Sequence, residues 1–149
     1  METGKMINQI SNRLRRRSRQ VQEAIGISGA QGNILDYILV ESRQRSVYQK
    51  EIEKEFGLRP STAPAAFKLL EVKGLICRIP EEKDGRYNRI VFTPKAEAVQ
   101  DALRREIEES EAILLQGVAP EEKELFLEIA GRMLRNLDER EDRHGKTGI

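Results

Sequence analysis

The sequence predicts a mainly α-helical fold with one small β-hairpin. Six stretches place apolar residues at helical spacing, and one pair of β-prone runs flanks Asp84-Gly85, a strong hairpin signal. The chain has 149 residues, of which 38% are hydrophobic and 34% are charged. This length predicts one domain with a small core and a highly charged surface.

The composition argues against several classes of function. The single cysteine, Cys77, cannot form an internal disulfide, and the single histidine, His144, lies in a Gly- and Lys-containing tail. One chain therefore cannot build a His/Cys metal cage or a His-dependent triad, and we expect neither an enzyme nor a cofactor. No window has the roughly 18 apolar residues that span a bilayer, and residues 1–10 lack a signal-peptide run, so we expect a soluble cytoplasmic protein.

The charge is unevenly distributed along the chain. Residues 1–93 contain 17 Lys and Arg against 11 Asp and Glu, whereas residues 94–149 contain 9 against 14. Net charge informs about partners rather than about fold. A polyanionic partner would therefore bind the first two thirds of the chain.

The first four helices are predicted from periodicity and from their end signals. We expect them at about 6–24, 29–42, 47–55 and 61–73, with Ser28/Gln31 and Ser46/Gln49 as capping boxes. Phe56-Gly57 ends the third helix, and the fourth begins after a tight turn, with Ala66, Phe67, Leu69 and Leu70 as its apolar side. Two helices joined in this way form a helix-turn-helix, whose second helix is free to enter a DNA groove.

The hairpin and two long helices complete the prediction. β-prone runs at 75–79 and 89–92 flank a charged tip, Thr93-Pro94 opens a fifth helix to about Gln116, and Pro120 opens a sixth. The apolar positions of the sixth helix cover more than one face, and the charged end from Asp138 is expected to fray. The whole order describes a winged helix-turn-helix framed by terminal helices.

Several segments in this order resemble the multiple-antibiotic-resistance regulator (MarR) family. The matching segments are Glu51-Ile-Glu-Lys-Glu-Phe-Gly-Leu58, Pro60-Ser-Thr62, Leu70-Glu-Val-Lys-Gly-Leu-Ile76, Asp84-Gly-Arg86, Phe92-Thr-Pro-Lys-Ala96 and Leu114-Leu-Gln-Gly-Val118. The resemblance implies a homodimeric DNA-binding transcriptional regulator. It assigns 28–93 to DNA binding, and 1–27 with 94–149 to helical dimerisation.

The resemblance and the charge pattern together nominate residues that contact DNA. The fourth helix would enter the major groove and the hairpin wing the adjacent minor groove, where a guanidinium suits a narrow, negative channel. The candidates are Arg59, Ser61, Thr62, Lys68, Lys83, Asp84, Arg86 and Arg89. Ser61 is equally well explained as an N-cap, Arg59 as a solvated turn residue, and Asp84 as the turn residue of Asp-Gly or as a partner for a nearby arginine.

Some residues depart from the family pattern or admit a second explanation. Pro64 and Ala65 stand where the family usually has polar or basic residues. Arg17, within an arginine-rich stretch, is in phase with the apolar seam and could pair with carboxylates of the acidic half. Cys77 is interpreted as a structural thiol, and Tyr37, Tyr48 and Phe126 as core residues rather than as the lining of an effector cleft.

Two classes of function remain open at this point. The first is a dimeric regulator, expected to be a repressor, that reads a pseudo-palindrome and is released by a small molecule. The second is a winged-helix module that binds another protein, which Pro64 and Ala65 favour and the basic wing opposes.

Overall fold

The computed structural model describes residues 1–27, 29–59 and 63–146. Within them the chain divides into two compact units, Met1–Ser110 and Glu111–Ile149. The elements in chain order are α1 (Thr3–Ala24), α2 (Gly29–Glu41), β1 (Val47–Tyr48), α3 (Gln49–Glu55), α4 (Ala63–Val72), β2 (Ile76–Pro80), β3 (Asn88–Phe92), a 3-10 turn (Pro94–Ala96), α5 (Glu97–Leu114) and α6 (Pro120–Lys146). The predicted fold class, a winged helix-turn-helix with terminal helices, is confirmed.

The sheet is antiparallel, with strand order β1-β3-β2. In β3, Ile90 pairs with Val47 on one side and with Arg78 on the other. The prediction of a helix from residue 47 was wrong for its first two residues, because Val47 and Tyr48 form β1. A two-residue strand is too short to show a periodicity, and only its partner β3 specifies it.

The start of α3 is held by Glu51 rather than by the predicted Ser46/Gln49 pair. The Glu51 carboxylate accepts a hydrogen bond from the Tyr48 N–H at 2.7 Å. Gln49 instead donates from its side chain to Glu53 at 3.0 Å. The predicted Ser28 cap lies outside the described residues.

The core of the first unit collects side chains from every element of the winged domain. Leu35 and Ile38 of α2, Phe67 and Leu70 of α4 and Ile52 of α3 are all fully buried. The predicted apolar side of α4 is confirmed at Phe67 and Leu70 and is wrong at one position. Leu69, predicted on the apolar side of α4, is 51% exposed; its neighbour Leu70 points inward, since residues one apart on a helix do not share a face.

Helix α1 packs closely on α2 at Gly32. A Cβ atom at this position would lie 2.1 Å from the buried side chain of Gln22, so the approach of the two helices requires glycine here. Helix α1 begins at Thr3, earlier than the predicted Met6, and ends at Ala24 as predicted.

The two long helices differ from prediction at their ends. Helix α5 follows a 3-10 turn with Thr93 as N-cap and Pro94 at its start, and it ends at Leu114 rather than Gln116. Helix α6 continues to Lys146, so the predicted fraying from Asp138 was wrong. The charged residues of this end are adequate helix formers, and Arg135 and Glu139 stand at the i,i+4 spacing that favours a helix.

Candidate nucleic-acid interface

A tight turn follows α3. Gly57 has a φ of 60°, a left-handed conformation that glycine adopts without strain, and the Leu58 N–H donates to the Glu53 carbonyl at 2.8 Å. Arg59, one of the predicted contact residues, follows in the turn with an exposed side chain. The predicted contact residues Ser61 and Thr62 lie outside the described residues.

Helix α4 has a buried face and an exposed face. Phe67 and Leu70 anchor it in the core, and neither has any exposed surface. The exposed face carries Pro64, Ala65, Lys68, Leu69 and Val72. Pro64 lies in the first turn, where its missing N–H breaks no intrahelical hydrogen bond, so α4 is not interrupted.

Polar contacts fix α4 to its neighbours. Glu71 forms an ion pair with Arg78 of β2 at 2.7 Å. The ammonium of Lys73 donates to the Gly26 carbonyl at 3.0 Å and to the Gln31 side chain at 2.9 Å. The Thr93 hydroxyl donates to the Gly74 carbonyl and so joins the end of α4 to the end of β3. Glu71 and Lys73 therefore have their charged groups in contact with other parts of the protein. The predicted contact residue Lys68 is exposed at the surface.

The wing is the hairpin of β2 and β3, and its tip holds Arg86 in a defined position. Asp84 Oδ1 accepts from the Arg86 backbone N–H at 3.1 Å and from Nε at 3.0 Å, and Oδ2 accepts from Nη2 at 2.9 Å. The hydrogen bonds from Arg86 lower the pKa of the Asp84 carboxyl below its ordinary value. The geometry therefore gives Asp84 both expected roles, as turn residue and as arginine partner, while the Arg86 side chain stays 84% exposed.

The other two predicted wing residues are placed differently. Lys83 is exposed in the tip loop. Arg89 is half-buried on β3, where it pairs across the sheet with Tyr48 and with Ile79. Arg89 therefore lies on the body of the sheet and Lys83 at its end.

Sequence reasoning missed Lys50 of α3. Its Nζ lies 4.7 Å from the centre of the Tyr87 ring, so a cation of α3 stacks on the wing. A groove of about 430 Å³ runs between α3 and the wing, lined in part by Tyr48, Lys50, Lys83 and Tyr87. No sequence signal indicates this cluster, because only the folding of the hairpin against α3 brings the residues together.

The environments of Tyr37, Tyr48 and Phe126 differ from one another. Tyr37 packs edge-on against Phe56 with ring centres 5.8 Å apart and donates to Glu51 at 3.0 Å, as a core residue would. Tyr48 lies at the groove beside the wing and donates to Glu81 at 3.0 Å. Phe126 is 59% exposed on α6, so the core interpretation was wrong for it.

A cluster of polar side chains lies inside the first unit between α1, α2 and α5. Glu106 is 6% exposed and accepts hydrogen bonds from Ser110 at 2.7 Å and from Ser18 at 3.2 Å. Burial, together with the charge of Glu106, raises the pKa of Asp36 to about 7. Arg17 pairs with Glu109 at 4.0 Å and donates to Ser110 at 2.9 Å, which confirms its predicted pairing with carboxylates of the acidic half.

Three other expectations concern a metal site, the thiol of Cys77 and membrane-spanning helices. Among the described residues no group of three His, Cys, Asp or Glu side chains is placed to hold a metal ion. Cys77 is free and half-buried on β2. No helix in the described part of the chain has both the length and the apolar character that crossing a membrane requires.

A family model described as MarR family matches residues 25–86, which span α2, the helix-turn-helix and the wing up to Arg86. Over these residues the chain is similar to the MarR family. A curated relative, the uncharacterized HTH-type transcriptional regulator YybA of Bacillus subtilis, is 31% identical over 92 residues. That match covers 62% of this chain and 61% of the relative, so the chain spans about three fifths of the relative's length.

Solved structures of MarR-type proteins share the fold. S. aureus MepR in its DNA-binding conformation is 25% identical, with a TM-score of 0.81 over 92% of this chain and 99% of that one. MarR of Oenococcus oeni PSU-1 is 25% identical, with a TM-score of 0.73 over 90% and 99%. A MarR-type protein of Listeria monocytogenes, solved with 26mer DNA, is 20% identical, with a TM-score of 0.76 over 92% and 89%.

Proposed function

We propose that this chain is a regulator of the MarR family, namely a homodimeric, sequence-specific DNA-binding transcriptional regulator that acts in the cytoplasm as a repressor and is released by a small molecule. One observation carries the proposal. The exposed face of α4 and the Asp84-held guanidinium of Arg86 stand on neighbouring elements, joined by the Glu71–Arg78 ion pair. This arrangement suits a helix in the major groove with a cation in the adjacent minor groove.

The charge of residues 1–93 and the similarity to MepR support DNA as the binding partner. Residues 1–93 hold a net charge of +6, from 17 basic and 11 acidic residues. Arg59, Lys68 and Lys83 add exposed basic side chains on the turn, α4 and the wing. MepR, which is 25% identical, has been solved in a DNA-binding conformation. We propose that Arg59, Ser61, Thr62, Lys68, Lys83, Asp84, Arg86 and Arg89 form the interface, with Asp84 acting by orienting Arg86.

The dimer is proposed from apolar surface that a single chain leaves exposed. Helix α6 exposes Leu125, Phe126, Leu127 and Leu134 by 55% to 59% each, and α1 exposes Met6 and Ile7 by 45% and 47%. Solvated patches of this kind mark interaction surfaces. We propose that 1–27 with 94–149 form the dimerisation region, which would space two copies of 28–93 about 10 bp apart on a pseudo-palindrome.

The proposed function is tested by the salt dependence of duplex binding, measured by fluorescence anisotropy with a duplex selected from a random pool. A dimer that neutralises about six phosphates should lose about a thousandfold in affinity between about 50 and 200 mM salt. Arg86→Ala should weaken binding and reduce the slope of log K against log salt by about two, because each protomer loses one cation. Arg15→Ala, which removes an exposed arginine from α1, should leave the slope unchanged.

One observation favours a second candidate, a module that binds another protein. The exposed face of α4 carries Pro64, Ala65, Leu69 and Val72, and Lys68 is its one exposed charge among the described residues. Failure to select any duplex, with no binding even at low salt, would support this candidate and contradict DNA binding.

A further inference from the structure

The outer surface of α4 is apolar to a degree that its proposed DNA-binding role does not explain by itself. Leu69 and Val72 are 51% and 72% exposed, and Ala65 and Pro64 are exposed one turn earlier. Ala65, Leu69 and Val72 stand at i, i+4 and i+7, so they share one face of the helix. We call these three residues the α4 strip.

The α4 strip is not a displaced part of the core. Phe67 and Leu70 already fill the core side of the helix without exposed surface. The ion pair of Glu71 with Arg78 and the hydrogen bonds of Lys73 fix how α4 is rotated, so the strip cannot turn inward. Contiguous exposed apolar surface of this kind indicates an interaction site that accepts apolar atoms.

The charges around the strip match a polyanionic partner. Lys68 lies beside it on α4, and the one carboxylate of α4, Glu71, is neutralised by Arg78. Arg86 stands exposed on the wing whose first strand holds that ion pair. An apolar strip within a basic surface is complementary to the major groove of a duplex, which offers thymine methyl groups between rows of anionic phosphates.

We infer that the α4 strip reads thymine 5-methyl groups in the major groove, so that each half-site carries A·T pairs where α4 enters. The inference rests on the proposed function. The thymine methyl is the apolar group that base pairs offer in this groove, and the other edges present hydrogen-bond donors and acceptors. An apolar strip set against those polar groups would leave them without water or a partner, which is unfavourable. The strip therefore favours thymine for two reasons. It makes an apolar contact with the methyl group, and against other bases it would leave polar groups without a hydrogen-bond partner.

The test compares a selected duplex with the same duplex in which deoxyuridine replaces thymidine. Uracil keeps every hydrogen-bonding group of thymine and lacks the methyl, so the full chain should bind the uracil duplex about fourfold more weakly for each methyl that the strip contacts. The double variant Leu69→Ala, Val72→Ala should bind both duplexes nearly equally. Val40→Ala, which trims an exposed valine of α2, should keep the wild-type ratio.

Arg86→Ala separates this inference from the proposed function. It should lower affinity for both duplexes and preserve their ratio, since Arg86 acts from the wing. Equal affinity of the wild-type chain for the two duplexes would overturn the inference and leave DNA binding intact. If the Leu69/Val72 double variant still bound the thymine duplex more tightly than the uracil duplex by the wild-type factor, the assignment of methyl recognition to the α4 strip would be overturned. A chain that binds no duplex would overturn the proposed function and the inference with it.

Discussion

The buried carboxyl of Asp36 should make the stability of this protein depend on pH in a way that one substitution removes. Burial and the nearby charge of Glu106 raise the pKa of Asp36 from 3.8 to about 7. Asp36 Oδ1 is buried and has no hydrogen-bond partner among the described residues. The folded state therefore holds the proton more tightly than the unfolded state, and the free energy of unfolding falls as pH rises from about 4 to about 7.

The size of this effect follows from the shift. A change of about three pKa units corresponds to about 4 kcal/mol, and we halve this to about 2 kcal/mol because the Asp36 side chain is only partly buried and solvent screens its charge. Asp36→Asn removes the charge and keeps the shape. At pH 4 the substitution should leave the free energy of unfolding nearly unchanged. At pH 8 it should raise the free energy of unfolding by about 2 kcal/mol, which corresponds to an increase of several degrees in Tm.

Thermal unfolding followed by circular dichroism at fixed protein concentration measures this difference. Asp101→Asn serves as the matched control, because Asp101 is exposed on α5 and pairs only with Arg104 among the interactions described for it. The control should change Tm little at either pH. An equal Tm shift for Asp36→Asn at both pH values would show that the substitution acts through packing and not through the charge of Asp36, since a packing effect does not vary with pH.

Four further substitutions test the core, the α3 start and the dimer. Leu70→Ala should lower the free energy of unfolding by about 2 to 5 kcal/mol in urea, and Leu69→Ala next to it by under about 1 kcal/mol; similar losses would contradict the burial of α4. Hydrogen bonds from Tyr48 N–H, Arg45 and Tyr37 outweigh the burial of Glu51 and lower its pKa, so Glu51→Gln should destabilise at neutral pH and lose its effect in acid, where wild-type Glu51 is protonated. Leu125→Glu should yield monomers by light scattering, and an intact dimer would contradict the role given to α6.

Local signals predict most of this fold because most of its decisive features are local. The helical spacing of Phe67 and Leu70 indicates the buried side of α4, and Gly57 ends α3 through a conformation that glycine favours. Arg86 could be singled out because its partner Asp84 is two residues away. Such features need no knowledge of the rest of the chain.

The features that sequence reasoning missed depend on distant partners. Strand β1 forms because Val47 pairs with Ile90 of β3. The ammonium of Lys50 contacts the wing because it lies over the Tyr87 ring. Asp36 acquires its raised pKa only because folding buries its carboxyl and brings Glu106 of α5 close. Periodicity reports none of these contacts. The exposure of Leu69 also escaped prediction, because an apolar residue on a helix was assigned to the core without knowing how α4 is rotated.

Affinity cleavage tests most directly whether two copies of α4 enter one duplex. An iron chelate attached through Ala65→Cys, in a Cys77→Ala background, cuts the DNA strands nearest to the exposed face of α4. We expect two clusters of cuts in a selected duplex, about 10 bp apart, with no comparable cuts from the same chelate at Glu128→Cys on α6. A single cluster, or equal cutting from α6, would contradict this expectation.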